Sequence, residues 1–324
     1  MSFRQAKRQQ LAERRSVRRC LAGKRLSLCR VAACCFITQT ILKMSTYENY
    51  NNASQDYDKQ RVAVGYDVMA AMIQFYTGKR AEDLNVLDAG CGTGNYTKAL
   101  IEIGVGQISL LDASSGMLEK ARAKLSGYMS RGIVRDIVEA KMPPIPFPDD
   151  SFDAVMFNVV LNHLDQGNPA FPKSVQTLKE SRRVLLPNGV VVVSTMLPSA
   201  FSKVMWFSQI NEKLTERFIE NILPSAEQFE KMFKDAGIRC IQKMNILGSD
   251  IYKSYYDIDG PLDEAWRRTS SYWTFATDGE LDEVVQKVKD LKEKGQLENW
   301  VKKHDHSDTS GILTIYICKP LSSV

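Results

Sequence analysis

Apolar and polar positions from Leu84 onward change period in a telling order. Residues 84–88 are a short apolar stretch closed by Asp88, which predicts a strand ending in an acid. Tyr96, Ala99, Leu100 and Ile103, spaced three, one and three, mark one face of a helix that Gly104 ends. Ile108 to Leu111 then predict a second strand, closed by Asp112. Further on, Ala200 to Arg217 predict one helix and Ser225 to Ala236 another, with Gly237 as its stop. Leu281, Val284, Val285, Val288 and Leu291 have the spacing of a further amphipathic helix. Near the start, Phe3, Val17, Leu21 and Leu28 would share a helical face. The apolar run from Val31 to Leu42 is short and broken by Thr38, Gln39 and Thr40, so it cannot span a bilayer as a standard helix.

The turn between the first strand and helix carries the chemistry. It reads Asp88-Ala-Gly90-Cys-Gly92-Thr-Gly94-Asn95. Glycines so placed let the backbone turn sharply and approach a ligand closely. Asp112 lies where a βαβ unit presents a carboxylate to ribose hydroxyls. A dinucleotide fingerprint would be G-x-G-x-x-G, with pyrophosphate on the helix N-terminus; this loop is G-x-G-x-G. Asp88 would repel a pyrophosphate and attract an ammonium. The ligand therefore has a ribose and a positive charge but no phosphate, as S-adenosylmethionine does.

Composition divides the chain in two. Of 324 residues, 44% are hydrophobic and 25% charged, as in ordinary soluble globular proteins, which excludes wholesale disorder and a polytopic membrane protein. The net charge of +5 is uneven: residues 1–43 carry +10, and residues 44–324 carry −5. Cys20, Cys29, Cys34 and Cys35 lie in the basic segment, whereas the body has only Cys91, Cys240 and Cys318. Three scattered cysteines make no disulfide framework and fit a reducing compartment. The Arg-rich, almost acid-free segment has the composition of a transit peptide. The other reading is a dispensable leader ahead of a start at Met44. The expected location is the cytoplasm, or the mitochondrion if residues 1–43 act as a transit peptide.

Five ordered motifs resemble a class I S-adenosylmethionine-dependent methyltransferase, of the broad group that includes the ubiquinone and menaquinone methyltransferases. They are Asn85 to Tyr96, Leu110 to Arg122, Glu139-Ala140 with Ile145 to Asp153, Val155 to Leu164, and Leu178 to Ser194. The resemblance is tight over residues 84–196 and loose over 44–83. It implies an α/β fold: a Rossmann-like, doubly wound seven-stranded sheet with a helical cap and an insertion before the last strand. The implied layout is a cap over 44–83, a donor-binding core over 84–197, and a C-terminal part over 198–324. The last two strands fall at Ile238 to Ile246 and Ile312 to Cys318, around a lid insertion at 247–311.

Site residues follow by the same resemblance. Asp88 and the backbone of Gly90, Gly92 and Gly94 hold the methionine part of the donor. Asp112 takes the ribose hydroxyls, and Met117 stands beside the adenine, with a plain core position as its alternative. Glu139, where the family usually has Asp, accepts from the adenine amino group, with Ala140 alongside. Asn158 sits next to the donor or simply caps its strand. Among the cap residues Tyr47, Tyr50, Tyr57, Arg61 and Tyr66, the stretch Tyr57 to Arg61 is expected to touch the donor. Arg61 would face its carboxylate; the other reading of that stretch is a solvated helix face.

The substrate side is more individual. Tyr252, Tyr255, Tyr256, Trp266, Tyr272, Trp273 and Phe275 are seven aromatics in 24 residues, where the average of 9% gives about two. They form either a lid over the substrate, with Tyr255, Tyr256, Trp266 and Trp273 as candidate contacts, or the insertion's own core. Aromatic faces would suit an amine substrate. The sulfonium donor is already activated, so placement supplies most of the rate. His163, after the fourth strand, is the candidate base, with a structural role as its alternative. No Cys/His spacing suggests a metal. The expected function is methyl transfer to N or O of a small molecule. An RNA or protein substrate, or non-catalytic donor binding, is the alternative. The acidic body opposes nucleic acid, and Asn158 is followed by Val-Val-Leu rather than Pro-Pro-Tyr.

Overall fold

The computed structural model describes Tyr50, Ser54 and residues 57–247 and 257–321, all within the unit Lys43–Val324. Expectations placed on residues 1–43 and on Tyr47, Tyr252, Tyr255 and Tyr256 lie outside the described residues. Seven strands form one sheet: Asn85–Ala89 (β1), Gln107–Asp112 (β2), Val134–Glu139 (β3), Phe152–Asn158 (β4), Leu185–Thr195 (β5), Ile238–Ile246 (β6) and Leu313–Pro320 (β7). Their order is β3-β2-β1-β4-β5-β7-β6; β1 to β5 run parallel, and β7 is antiparallel to both neighbours.

The central strands are mostly apolar because both of their faces are covered. Val86, Ile108, Ala154, Met156, Val190 and Val192 point to one side, where Tyr66–Thr77 (α2), Asn95–Glu102 (α3) and Ser115–Ser130 (α4) pack. A short helix, Tyr57–Gln60 (α1), precedes them. Leu87, Leu111, Val155, Phe157 and Val193 point to the other side, against Pro172–Val184 (α5) and a later helix bearing Phe229 and Phe233. Burial of this kind contributes roughly 25 cal/mol per Å² of apolar surface. The chain winds outward from β1 to β3 and then crosses back to β4 on the far side of β1. The crevice at that reversal, beyond the carboxyl ends of β1 and β4, is where ligands of such sheets bind.

Residues 200–217 do not form one helix. Pro198–Val204 (α6) is followed by a 3-10 turn at Trp206–Gln209 and then Glu212–Ile222 (α7). The Asn211 side chain accepts from the Leu214 N–H at 2.8 Å and so starts α7 afresh. The break also buries Trp206 and Phe207, which one continuous helix would not place together. Ala226–Asp235 (α8) carries a full capping box from Ser225 and Gln228, and Gly237 follows at φ 72°. The insertion adds Glu264–Arg268 (α9), Asp278–Glu293 (α10) and Leu297–His304 (α11). α10 buries Val284, Val288 and Leu291, as its spacing predicts.

Candidate functional site

β1 ends with Asp88 buried and within reach of two neighbours. Thr97 Oγ1, in the first turn of α3, donates to Oδ2 at 2.7 Å; Asn158 Nδ2, at the end of β4, makes a long 3.4 Å contact to Oδ1. Asn158 is itself held by Ser194 Oγ at 3.1 Å. Burial outweighs these bonds and pushes the Asp88 carboxyl up to about 6, with Asp112 adding to the rise. A buried carboxylate in this state attracts a cation.

The glycine turn supplies the floor. Gly90 and Gly92 lie on the cavity wall with φ of 81° and 53°, in the left-handed region. A Cβ on Gly90 would stand 2.4 Å from Val160, so the missing side chain is what lets the β4 exit close over the turn. That exit bends at Val159, whose φ of 56° is unusual for a β-branched residue; its N–H is tied to the Ser194 carbonyl at 2.8 Å. Gly94 differs from the other two. It is off the cavity wall, and a Cβ there would stand 2.9 Å from Leu125 of α4. The missing side chain at Gly94 serves the packing of α3 on α4.

Asp112 is the last residue of β2, paired with Glu139 of β3. One carboxylate oxygen accepts from Gly92 N at 2.8 Å and the other from Ser114 N at 2.9 Å. Each oxygen keeps acceptor capacity toward the cavity, the arrangement a pair of vicinal hydroxyls requires. Met117 is both buried core and cavity wall, so its two sequence readings are not exclusive. Ala140 reaches the wall, but Glu139 is exposed and off it. Glu139 is the last residue of β3, paired in register with Asp112.

A strap of N-terminal residues crosses the mouth. Asp58 accepts from Thr93 Oγ1 at 2.5 Å and pairs with Lys124 at 2.8 Å, and Asn95 Nδ2 donates to the Arg61 carbonyl at 2.7 Å. The Arg61 guanidinium lies 5.8 Å from the Tyr57 ring centre and donates to the Thr269 carbonyl at 2.8 Å. Thr269 Oγ1 donates to Gln60. Tyr57 and Arg61 thus line the cavity, clasped to the insertion as well as to the glycine turn. Sequence reasoning missed Thr97 and Thr269. Only Thr97 had a legible signal, a hydroxyl in the first turn after the glycines.

Beyond the strand ends the cavity, about 660 Å³ in all, is lined by Phe201, Phe207, Phe218 and Trp266. Trp266 reaches the wall, whereas Trp273 does not: it is packed at 5.1 Å from the Phe207 ring, inside a cluster with Tyr272 and Phe275. Among the described aromatics of the insertion, Tyr272, Trp273 and Phe275 are core, and Trp266 is the one that faces the cavity. His163 is on the wall beside Tyr50, whose hydroxyl stands 3.2 Å from Nε2. Burial and then Arg61 push its imidazole down to about 4, so the ring is neutral at neutral pH. It accepts hydrogen bonds but takes a proton weakly. Among the described residues no cluster of three or more His, Cys, Asp and Glu could hold a metal, and no helix is long and apolar enough to cross a membrane.

Comparisons with known proteins agree with this geometry. Residues 87–193 match the family profile described as a methyltransferase domain. The demethylmenaquinone methyltransferase of Lactococcus lactis is 30% identical over 222 residues, covering 60% of this chain and 82% of that protein. Its counterpart in Bacillus licheniformis is 27% identical, covering 56% and 87%. The fold is shared with a putative methyltransferase from an antibiotic biosynthesis pathway of Anabaena variabilis, at a TM-score of 0.61 and 18% identity over 79% of this chain and 98% of that one. A strand-end acid held by two backbone N–H groups, a second buried acid and an open glycine turn fit S-adenosylmethionine, and with these relatives the chain belongs to the class I S-adenosylmethionine-dependent methyltransferases.

Proposed function

We propose that this enzyme methylates a nitrogen or oxygen atom of a small molecule. The observation that carries the reading is the continuity of one cavity, from Asp88 and Asp112 at the strand ends to the aromatic wall of Phe201, Phe207 and Trp266. Its volume of about 660 Å³ falls in the range of small-molecule sites. Two relatives named as demethylmenaquinone methyltransferases support a small-molecule acceptor.

In this reading Asp88 holds the donor's ammonium, Gly90 and Gly92 pass their backbone beneath it, and Asp112 holds the ribose. Met117 and Ala140 flank the base, Asn158 positions Asp88, and Tyr57 and Arg61 cover the donor from above. The bound donor supplies an electrophilic methyl carbon. The chain's own part is placement: the aromatic wall fixes the acceptor and excludes water. His163, held neutral, accepts from the acceptor's N–H or O–H. The Trp266 and Phe207 faces suit an amine that carries positive charge. The same proposal puts the enzyme in the cytoplasm, with the mitochondrion as the alternative if residues 1–43 are a transit peptide.

Transfer from radiolabelled donor into a cell extract, followed by size filtration, tests the proposal. Label is expected in the small-molecule filtrate. Label retained with macromolecules would overturn it in favour of a protein or RNA acceptor. No transfer, with donor binding intact, would favour a non-catalytic donor-binding protein.

A further inference from the structure

Two of the three body cysteines face each other far along the sheet from the glycine turn. Cys240 on β6 and Cys318 on β7 are direct partners in the antiparallel ladder. Facing residues of such a ladder have Cα atoms about 4.5 or 5.5 Å apart, and disulfides bridge Cα atoms about 4.4–6.8 Å apart. Side chains directly opposed in a ladder project to the same face of the sheet, so the two thiols lie side by side. Their surroundings differ. β6 is the edge of the sheet, so Cys240 is half-buried, with its sulfur 3.2 Å from the Gln242 carbonyl, whereas Cys318 is fully buried in the core beneath α8.

We infer that Cys240 and Cys318 form a peroxide-oxidised pair, in which Cys240 is oxidised first and Cys318 resolves it into a cross-strand disulfide. Hydrogen bonding by the Cys318 thiol draws the Cys240 thiol down to about 7, so much of it is thiolate at neutral pH. Burial pushes Cys318 well up, and burial with Asp112 and Asp88 does the same to Cys91; both stay protonated. The Cys240 thiolate attacks a peroxide oxygen, the O–O bond breaks, and one water leaves with a sulfenic acid left behind. Cys318 then gives up its proton and bonds to the Cys240 sulfur, which expels hydroxide as the second water. Two thiols and one hydrogen peroxide become one disulfide and two waters. The bridge ties the edge strand β6 to β7 and closes a loop that contains the whole insertion, a constraint that acts mainly on the unfolded chain.

The test treats the full chain with hydrogen peroxide and maps its unreduced peptides by mass spectrometry, because four further cysteines lie in residues 1–43. A Cys240–Cys318 linked peptide is expected, reversed by dithiothreitol, with a higher melting temperature for the oxidised protein. Cys318→Ser should stop at a dimedone-trapped sulfenic acid on Cys240, and Cys240→Ser should leave Cys318 reduced. Mapping of the wild-type chain decides the matter even if a variant folds poorly. Cys240 unreacted at tenfold excess, over-oxidised beside an intact Cys318 thiol, or linked to any other cysteine would overturn the proposal.

Discussion

Asp88→Asn should make the free enzyme more stable while destroying its affinity for the donor. The carboxyl is 1% exposed and pushed up to about 6, against about 3.9 in an unfolded chain. Its folded value is the higher one, so the folded state binds more protons than the unfolded state between those pH values. Stability therefore falls as pH rises through that window, and above about pH 6 the full difference, about 3 kcal/mol, is lost. Asparagine keeps the shape and a partner for Thr97 but carries no charge to desolvate. At pH 7.5 the variant should gain about 2–3 kcal/mol, near 5 °C in melting temperature for a domain of this size. At pH 4.5 the gain should shrink toward zero. Calorimetric titration with S-adenosylhomocysteine, which retains the ammonium, should show a loss of tenfold or more, since a hydrogen bond between charged groups is worth about 1.5–3 kcal/mol. Wild-type affinity should also fall close to tenfold per pH unit below about 6, because the acid must lose its proton before the ammonium can pair with it. A variant that melts lower than wild type at pH 7.5, or that binds product unchanged, would refute the reasoning.

Three further predictions follow the same logic. Asp112→Ala removes the acceptor of Gly92 N and Ser114 N as well as the proposed ribose partner; donor affinity should drop at least tenfold by calorimetry, and unchanged affinity would sink that assignment. Trp273→Ala and Trp266→Ala should separate: the first empties core and should cost about 3–5 kcal/mol with little change in acceptor KM per folded molecule, whereas the second opens the cavity wall and should raise KM. Equal effects of the two on KM would contradict the placement. Residues 44–324 expressed alone should fold and bind donor, and an insoluble or non-binding product would show that residues 1–43 belong to the fold.

What the sequence determined was local. Asp88, the three glycines and Asp112 were legible because a strand, a tight turn and a helix within 25 residues leave a strand-end acid few places to go. β1 and β2 were legible as apolar runs closed by acids, whereas the seven-stranded sheet came from the family resemblance, because edge strands such as β3 and β6 alternate with exposed polar positions. Three matters belonged to tertiary structure. Gly94 and Gly90 look alike in the motif, and only the neighbours, Leu125 for one and Val160 for the other, separate packing from cavity. The aromatics of the insertion are one cluster in the chain, yet Trp266 meets the cavity while Trp273 meets Phe207, because the broken helix at 205–211 brings Phe207 to them. The clasp of Arg61 and Gln60 on Thr269 spans 208 and 209 positions, and Cys240 meets Cys318 across 78 residues. Spacing reports which residues share a turn or a face. Which distant residues become neighbours depends on how the layers close on one another, and that is decided by packing the whole chain at once.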